Sequence, residues 1–155
     1  MLLPAEIESK TLIPALRAIL AKKLAEEHDI REDEISKMLG VTQAAISNYI
    51  RGTRGDPSLI AKLLSEKQVA QLIDELCENL ASDLAYTPSS LSKFIGLCNY
   101  IKSSLLICEI HHNLETNIDE QVCKGGISHR DETIAAMRYK LYTCSGVPYC
   151  CYKQI

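Results

Sequence analysis

The twenty residues from Glu32 to Arg51, EDEISKMLGVTQAAISNYIR, constrain the fold more than any other part of the chain. Ile35 and Leu39 are four apart and fall on one helical face. Gly40 follows at once, where a first helix must end with positive φ. Val41 plugs the turn, and Thr42 is a good N-cap for a second helix. Ile46, Tyr49 and Ile50 supply that helix with an apolar stripe. Ser36 is small where the two helices must cross closely. Each position meets a separate steric need, and together they predict a helix-turn-helix. The second helix then points Gln43, Ala44, Ser47, Asn48 and Arg51 outward. These are short polar groups, a methyl and a cation, which suit base edges and phosphates in a DNA major groove. The competing reading is a helical hairpin whose polar face is merely solvated. Turn, cap and face agree better with DNA binding.

Charge placement refines this. The chain has 155 residues, a net charge of −3 and a pI near 5.8, so it is no broadly basic nucleic-acid binder. From Gly40 to Gly55 the only charged residues are Arg51 and Arg54, while Glu32, Asp33 and Glu34 precede the second helix. So small a basic surface implies few phosphate contacts per subunit, which favours a homodimer on a two-fold site in double-stranded DNA. The expected DNA-binding set is Thr42, Gln43, Ala44, Ser47, Asn48, Arg51 and Arg54. No run of eighteen apolar residues exists, so no membrane span is expected. The opening MLLPAEIESK lacks a basic-then-apolar layout, which predicts a cytoplasmic protein without a secretory signal.

The rest of the chain reads as all-α. Pro4 starts a short helix, and Thr11 is placed to cap the next, with Pro14 in its first turn. Ile13, Leu16, Ile19, Leu20 and Leu24 form that helix's apolar face. Glu26, Glu27 and Asp29 read as a solvated helix end. The loop GTRGDP follows Arg51, and its amides and Arg54 suit either phosphate contact or a plain turn. Asp56 caps a helix with Pro57 in first position, carrying Leu59, Ile60, Leu63 and Leu64. Ser65 with Gln68 makes a capping-box pattern. Val69, Leu72, Ile73, Leu76, Leu80 and Leu84 then trace a long stripe between Glu66 and Ala85. Such a stripe serves either as a dimer seam, the favoured reading, or as packing against its own chain. Cys77 beside it reads as a small core hydrophobe.

Thr87-Pro88 opens another helix, with Leu91, Phe94, Ile95, Cys98, Ile101, Leu105 and Cys108 in its stripe. Gly125-Gly126 marks a loop, and Ser128 with Asp131 opens a last helix bearing Ile134, Met137 and Leu141. The tail from Cys144 reads as irregular. Three regions are expected: a helix-turn-helix domain at 1–64, a linking or dimerisation helix at 65–86, and a cysteine-rich sensor region at 87–155.

All seven cysteines lie after the helix-turn-helix, at positions 77, 98, 108, 123, 144, 150 and 151. An odd number without a signal peptide argues against a disulfide framework. No Cys-x-x-Cys pair exists, so a zinc-finger signature is absent. Iron–sulfur clusters tolerate scattered ligands, because each iron needs one thiolate. In one straight helix Cys98 and Cys108 would sit about 15 Å apart along the axis, too far for one cluster. Shared ligation therefore requires a break, best placed at Lys102-Ser103-Ser104. Otherwise the helix is continuous and both cysteines are buried hydrophobes. The residues alone leave these readings even. Cys150 and Cys151 are adjacent, poor geometry for one metal, and read as tail residues. His28 and His129 read as solvent-facing.

The stretches LGVTQAAIS and RGTRG resemble Xre/Cro-like regulators, over residues 11 to 56. The whole chain looks like an archaeal-type subgroup of those regulators. That resemblance implies a cysteine-rich C-terminal region holding an iron–sulfur cluster, with a Cys-x-x-His step matched by Cys108 and His111. It is looser beyond residue 90. Ile101 and Gly126 stand where a Cys-x-x-Cys with Cys98 or Cys123 would close. The three lone cysteines Cys98, Cys108 and Cys123 then suggest a three-thiolate site, either 3Fe–4S or 4Fe–4S. In the second case His111, Cys144, Cys150 or a small-molecule ligand takes the last iron.

Three functions follow from the residues. The first is a transcription regulator whose DNA binding is modulated by such a cluster. The second keeps DNA binding, with structural zinc or no metal and a small organic effector. The third is an interaction module or redox enzyme built on the cysteines. No Gly-rich phosphate loop, activated nucleophile or catalytic carboxylate pair is present, so an enzyme is not expected.

Overall fold

A computed structural model of the chain describes residues 4–83 and 85–114. All elements among them are helical: α1 (Pro4–Ile7), a π-helical segment (Glu8–Leu12), α2 (Ile13–Glu26), α3 (Glu32–Leu39), α4 (Gln43–Ile50), α5 (Pro57–Ser65), α6 (Lys67–Asp83), α7 (Pro88–Ser103) and α8 (Cys108–Leu114). Leu84 and the regions around Cys123, Gly125-Gly126, Ser128–Asp131, His129, Cys144, Cys150 and Cys151 lie outside the described residues.

α2 is the axle of the N-terminal bundle and touches α3, α4, α5 and α6. Its expected face is buried at Leu16, Ile19, Leu20 and Leu24, whereas Ile13 is half-buried. Burial extends further, to Leu12, Ala15, Ala18 and Ala21. A helix covered on several sides carries apolar residues around more of its girth than a surface helix does. The alanines let neighbouring helices approach closely.

The start of α2 differs from expectation. Thr11 does not cap a new helix. Its hydroxyl donates to the Ile7 carbonyl at 2.6 Å, and Leu12 at the junction is itself helical. The chain runs on through a widened turn in which the Ile13 N–H reaches the Glu8 carbonyl, five residues back. Pro14 explains this. It has no N–H, and its ring crowds the carbonyl four residues earlier, so a π-turn accommodates what an α-turn would not.

α5 begins as expected. The Asp56 carboxylate accepts from the N–H groups of Ser58 at 2.8 Å and Leu59 at 3.3 Å. Leu59 and Leu63 are buried, while Leu64 is 42% exposed. The capping box at Ser65 does not form. Ser65 is the last residue of α5, and its hydroxyl donates to the Lys62 carbonyl at 2.7 Å. The carbonyl of Glu66, in extended conformation, accepts the Ala70 N–H at 2.9 Å as α6 starts. Ser65 was spent on its own helix because a hydroxyl reaches a carbonyl three residues back more easily than it starts another element.

The α6 stripe is covered by its own chain. Val69, Ile73, Leu76 and Leu80 are buried, and α6 packs on α2, α5 and α7. Cys77 sits among them at 1% exposure, the core role expected of it. Lys23 on α2 bonds Asp74 on α6 at 2.9 Å and Glu27 at 2.9 Å. Those two partners hold the Lys23 amine above its ordinary pKa.

α7 opens with a full capping box. Thr87 accepts the Ser90 N–H at 3.2 Å, and the Ser90 hydroxyl accepts the Thr87 N–H at 2.8 Å. Its buried face is Ser90, Leu97, Cys98 and Ile101. Ile95, assigned to the stripe by spacing, is 50% exposed. The helix breaks just after Lys102-Ser103: Ser104 caps it, a turn follows with Leu105 at φ 59°, and α8 starts at Cys108.

Candidate nucleic-acid interface

The site is built from two helices and two turns. α3 lacks a side-chain N-cap, because Arg31 holds that position. Glu32, Asp33 and Glu34 in its first turn take over by facing the positive end of the helix dipole. Gly40 ends α3 at φ 62°. Its N–H and that of Val41 both return to the Ser36 carbonyl, closing the last turn as αL glycines do. The Ser36 hydroxyl donates to the Asp33 carbonyl at 2.7 Å and so stays small and satisfied.

Thr42, extended at ψ 152°, accepts the Ala45 N–H at 3.2 Å and starts α4. Ala45, Ile46 and Tyr49 are buried beneath α4, and Ile50 is half-buried. Rotated from them are Gln43, Ala44, Asn48 and Arg51, all exposed, with Ser47 half-exposed. These five lie at three- and four-residue spacings and make one continuous outward strip. Thr42 is also exposed. The structure thus brings the whole sequence-derived set onto one end of the bundle.

At the C-terminal end of α4 the sequence by itself predicts only a loop with two glycines. It closes as a Schellman turn. Gly52, at φ 72°, donates to the Tyr49 carbonyl at 3.1 Å, and Thr53 donates to the Asn48 carbonyl at 3.0 Å. The Gly-Thr pair after a helical stripe was the available signal. Gly55, at φ 96°, seats the turn on α2: a Cβ there would stand 3.1 Å from the Ala18 Cβ and 3.2 Å from the Ile60 Cδ1. Between the two glycines the Arg54 guanidinium lies 5.2 Å from the centre of the Tyr49 ring. This cation–π contact sets Arg54 beside Arg51 at the end of the outward strip.

The cysteine-derived set is only partly within reach. Cys98 lies on α7 and Cys108 at the start of α8, on either side of the expected break. Cys123 lies outside the described residues. Cys108 and His111 share one face of α8, three residues apart. Cys98 is 4% exposed. Burial first, and then the Glu8 carboxylate facing it, push its thiol up to about 12, although Lys102 acts the other way. Among the described residues no three His, Cys, Asp or Glu side chains gather as a metal site. The break is what a shared cluster would need.

Comparison with known proteins agrees with the N-terminal geometry. Residues 22–65 match the helix-turn-helix family HTH_3. The chain therefore carries a helix-turn-helix domain, the type of domain through which transcription regulators bind DNA. The match starts inside α2 and ends with α5, so it holds every residue of the outward strip. No curated protein and no solved structure matches the chain. Among the described residues no helix is long and apolar enough to cross a membrane.

Proposed function

We propose that the protein is a non-catalytic, sequence-specific DNA-binding transcription regulator. The observation that carries this is the outward strip on α4, held in place by the Thr42 cap and the Gly40 turn within a helix-turn-helix domain. Gln43, Ser47 and Asn48 read base edges, and Ala44 meets a thymine methyl. Arg51, Arg54 and the exposed start of α4 at Thr42 hold phosphates. Two copies act together on a two-fold site, because two arginines per copy supply few phosphate contacts. Since the α6 stripe is covered within the chain, the pairing surface lies elsewhere than the seam expected from sequence.

The test is a binding assay with an operator selected from random duplexes. Replacing Gln43 and Asn48 by alanine is expected to cost about 1–3 kcal/mol each and to relax preference at single base positions. Undiminished affinity and preference in both variants would exclude base reading by α4.

The signal belongs to the cysteine-rich region in our reading. An iron–sulfur cluster on Cys98, Cys108 and Cys123 modulates binding, with a small-molecule ligand at any open iron. The turn at residues 104–107 supports it by separating the helices of Cys98 and Cys108. A second reading has zinc or no metal and a small organic effector. The packing of Cys98 as a core residue of α7, at 4% exposure, supports its metal-free form. Iron and sulfide analysis of protein purified without oxygen separates the two. Colourless, iron-free protein would remove the cluster.

A further inference from the structure

Behind the outward strip, a groove of about 670 Å³ runs between α2, the end of α4, the Arg51–Gly55 turn and α5. Small-molecule sites span roughly 300 to 1,000 Å³. Its floor is apolar, and Ile60 and Leu64 of α5 contribute to it. Leu64 remains 42% exposed, large for an aliphatic side chain with nothing over it among the described residues.

The rim is cationic. Lys22, Arg51 and Arg54 line the groove, and none of them has a carboxylate partner among the described residues. Lys23 also lines it, but Asp74 and Glu27 neutralise that charge. Glu26 is the acid left unpaired on the lining. Tyr49 borders the same space, and its hydroxyl is buried with no hydrogen-bond partner.

We infer that this groove binds an organic anion with an apolar body, and that its anionic head competes with DNA phosphate for Arg51 and Arg54. A bare inorganic anion would leave Ile60 and Leu64 uncovered. A neutral apolar ligand would leave the arginines unmatched. A second copy of the chain would need a broad, flat face rather than a concavity with converging charges. Binding in the groove is independent of the DNA reading. The competition rests on it, because one guanidinium cannot serve both anions at full strength, and such antagonism is reciprocal.

The probe is anilinonaphthalene sulfonate, an anion on an aromatic body, titrated into the full chain. A saturable rise in fluorescence from one site is expected. Leu64→Glu and Lys22→Glu, both at exposed positions, are each expected to weaken it roughly tenfold with helical circular dichroism unchanged. Lys22→Glu lies on α2 and Leu64→Glu on α5, so a fault in one leaves the other decisive. No saturable binding, or wild-type binding in both variants, overturns the proposal. Selected duplex DNA should also displace the dye. If duplex binds but leaves the dye in place, the competition is overturned. If no duplex binds while both variants lose the dye, the groove stands and the DNA reading falls.

Discussion

Two glycines at the interface do different work. Gly40 needs only its positive φ, since nothing lies within 4 Å of the place a Cβ would occupy. Gly40→Ala is expected to cost about 1–2 kcal/mol, the αL penalty alone. Gly55→Ala should cost more, because a methyl there also presses on Ala18 and Ile60. It should weaken DNA binding too, by lifting the turn that carries Arg54. Urea unfolding of both variants, with duplex affinity alongside, checks the order. Cys77 gives a second residue-scale expectation. Burial pushes its thiol from an ordinary 9.0 up to about 12. A raised folded value means that the neutral thiol stabilises the fold fully below pH 9.0. That contribution falls away as pH climbs through 9.0 toward about 12. Denaturation midpoints against pH should therefore decline over that window, and less so in Cys77→Ala.

At the scale of elements, α6 packs its apolar stripe against α2, α5 and α7 of its own chain. Leu76 is 1% exposed between neighbouring helices of its own chain. Leu76→Ala is expected to lose about 2–5 kcal/mol. The loss should not depend on protein concentration, which separates an intrachain stripe from a dimer seam. A second tie joins the ends of the described chain. Lys102, in the last turn of α7, bonds Glu8 in the π segment at 3.0 Å, with side chains 19% and 20% exposed. Removing one partner strands the other in a poorly hydrated place. Lys102→Met alone should thus destabilise by about 1–3 kcal/mol, and Glu8→Gln with Lys102→Met together by less than the sum of the two.

At the scale of the molecule, an acidic chain approaches DNA with one small cationic edge. Its affinity should therefore fall gently with salt. Two arginines predict a logarithmic slope of about −1.8 for one copy on the duplex and about −3.6 for two. The measured slope thus tests the number of copies bound, and Arg54→Ala should reduce it.

The sequence determined what depends on near neighbours. The positive φ of Gly40, the caps at Thr42 and Asp56, the helix start at Thr87-Pro88, and the outward strip on α4 were all legible there. Each is decided within one or two helical turns, where backbone sterics and a single hydrogen bond dominate. The break after Ser103 was legible as a condition, though not as a certainty. Tertiary structure alone decided what depends on distant residues. Which surface covers the α6 stripe was set by α2, α5 and α7. The raised pKa of the Cys98 thiol was set by burial and by Glu8, ninety residues earlier in the chain. Periodicity shows that a face is apolar; only packing shows what it meets, and with that the dielectric and the charges around each buried group.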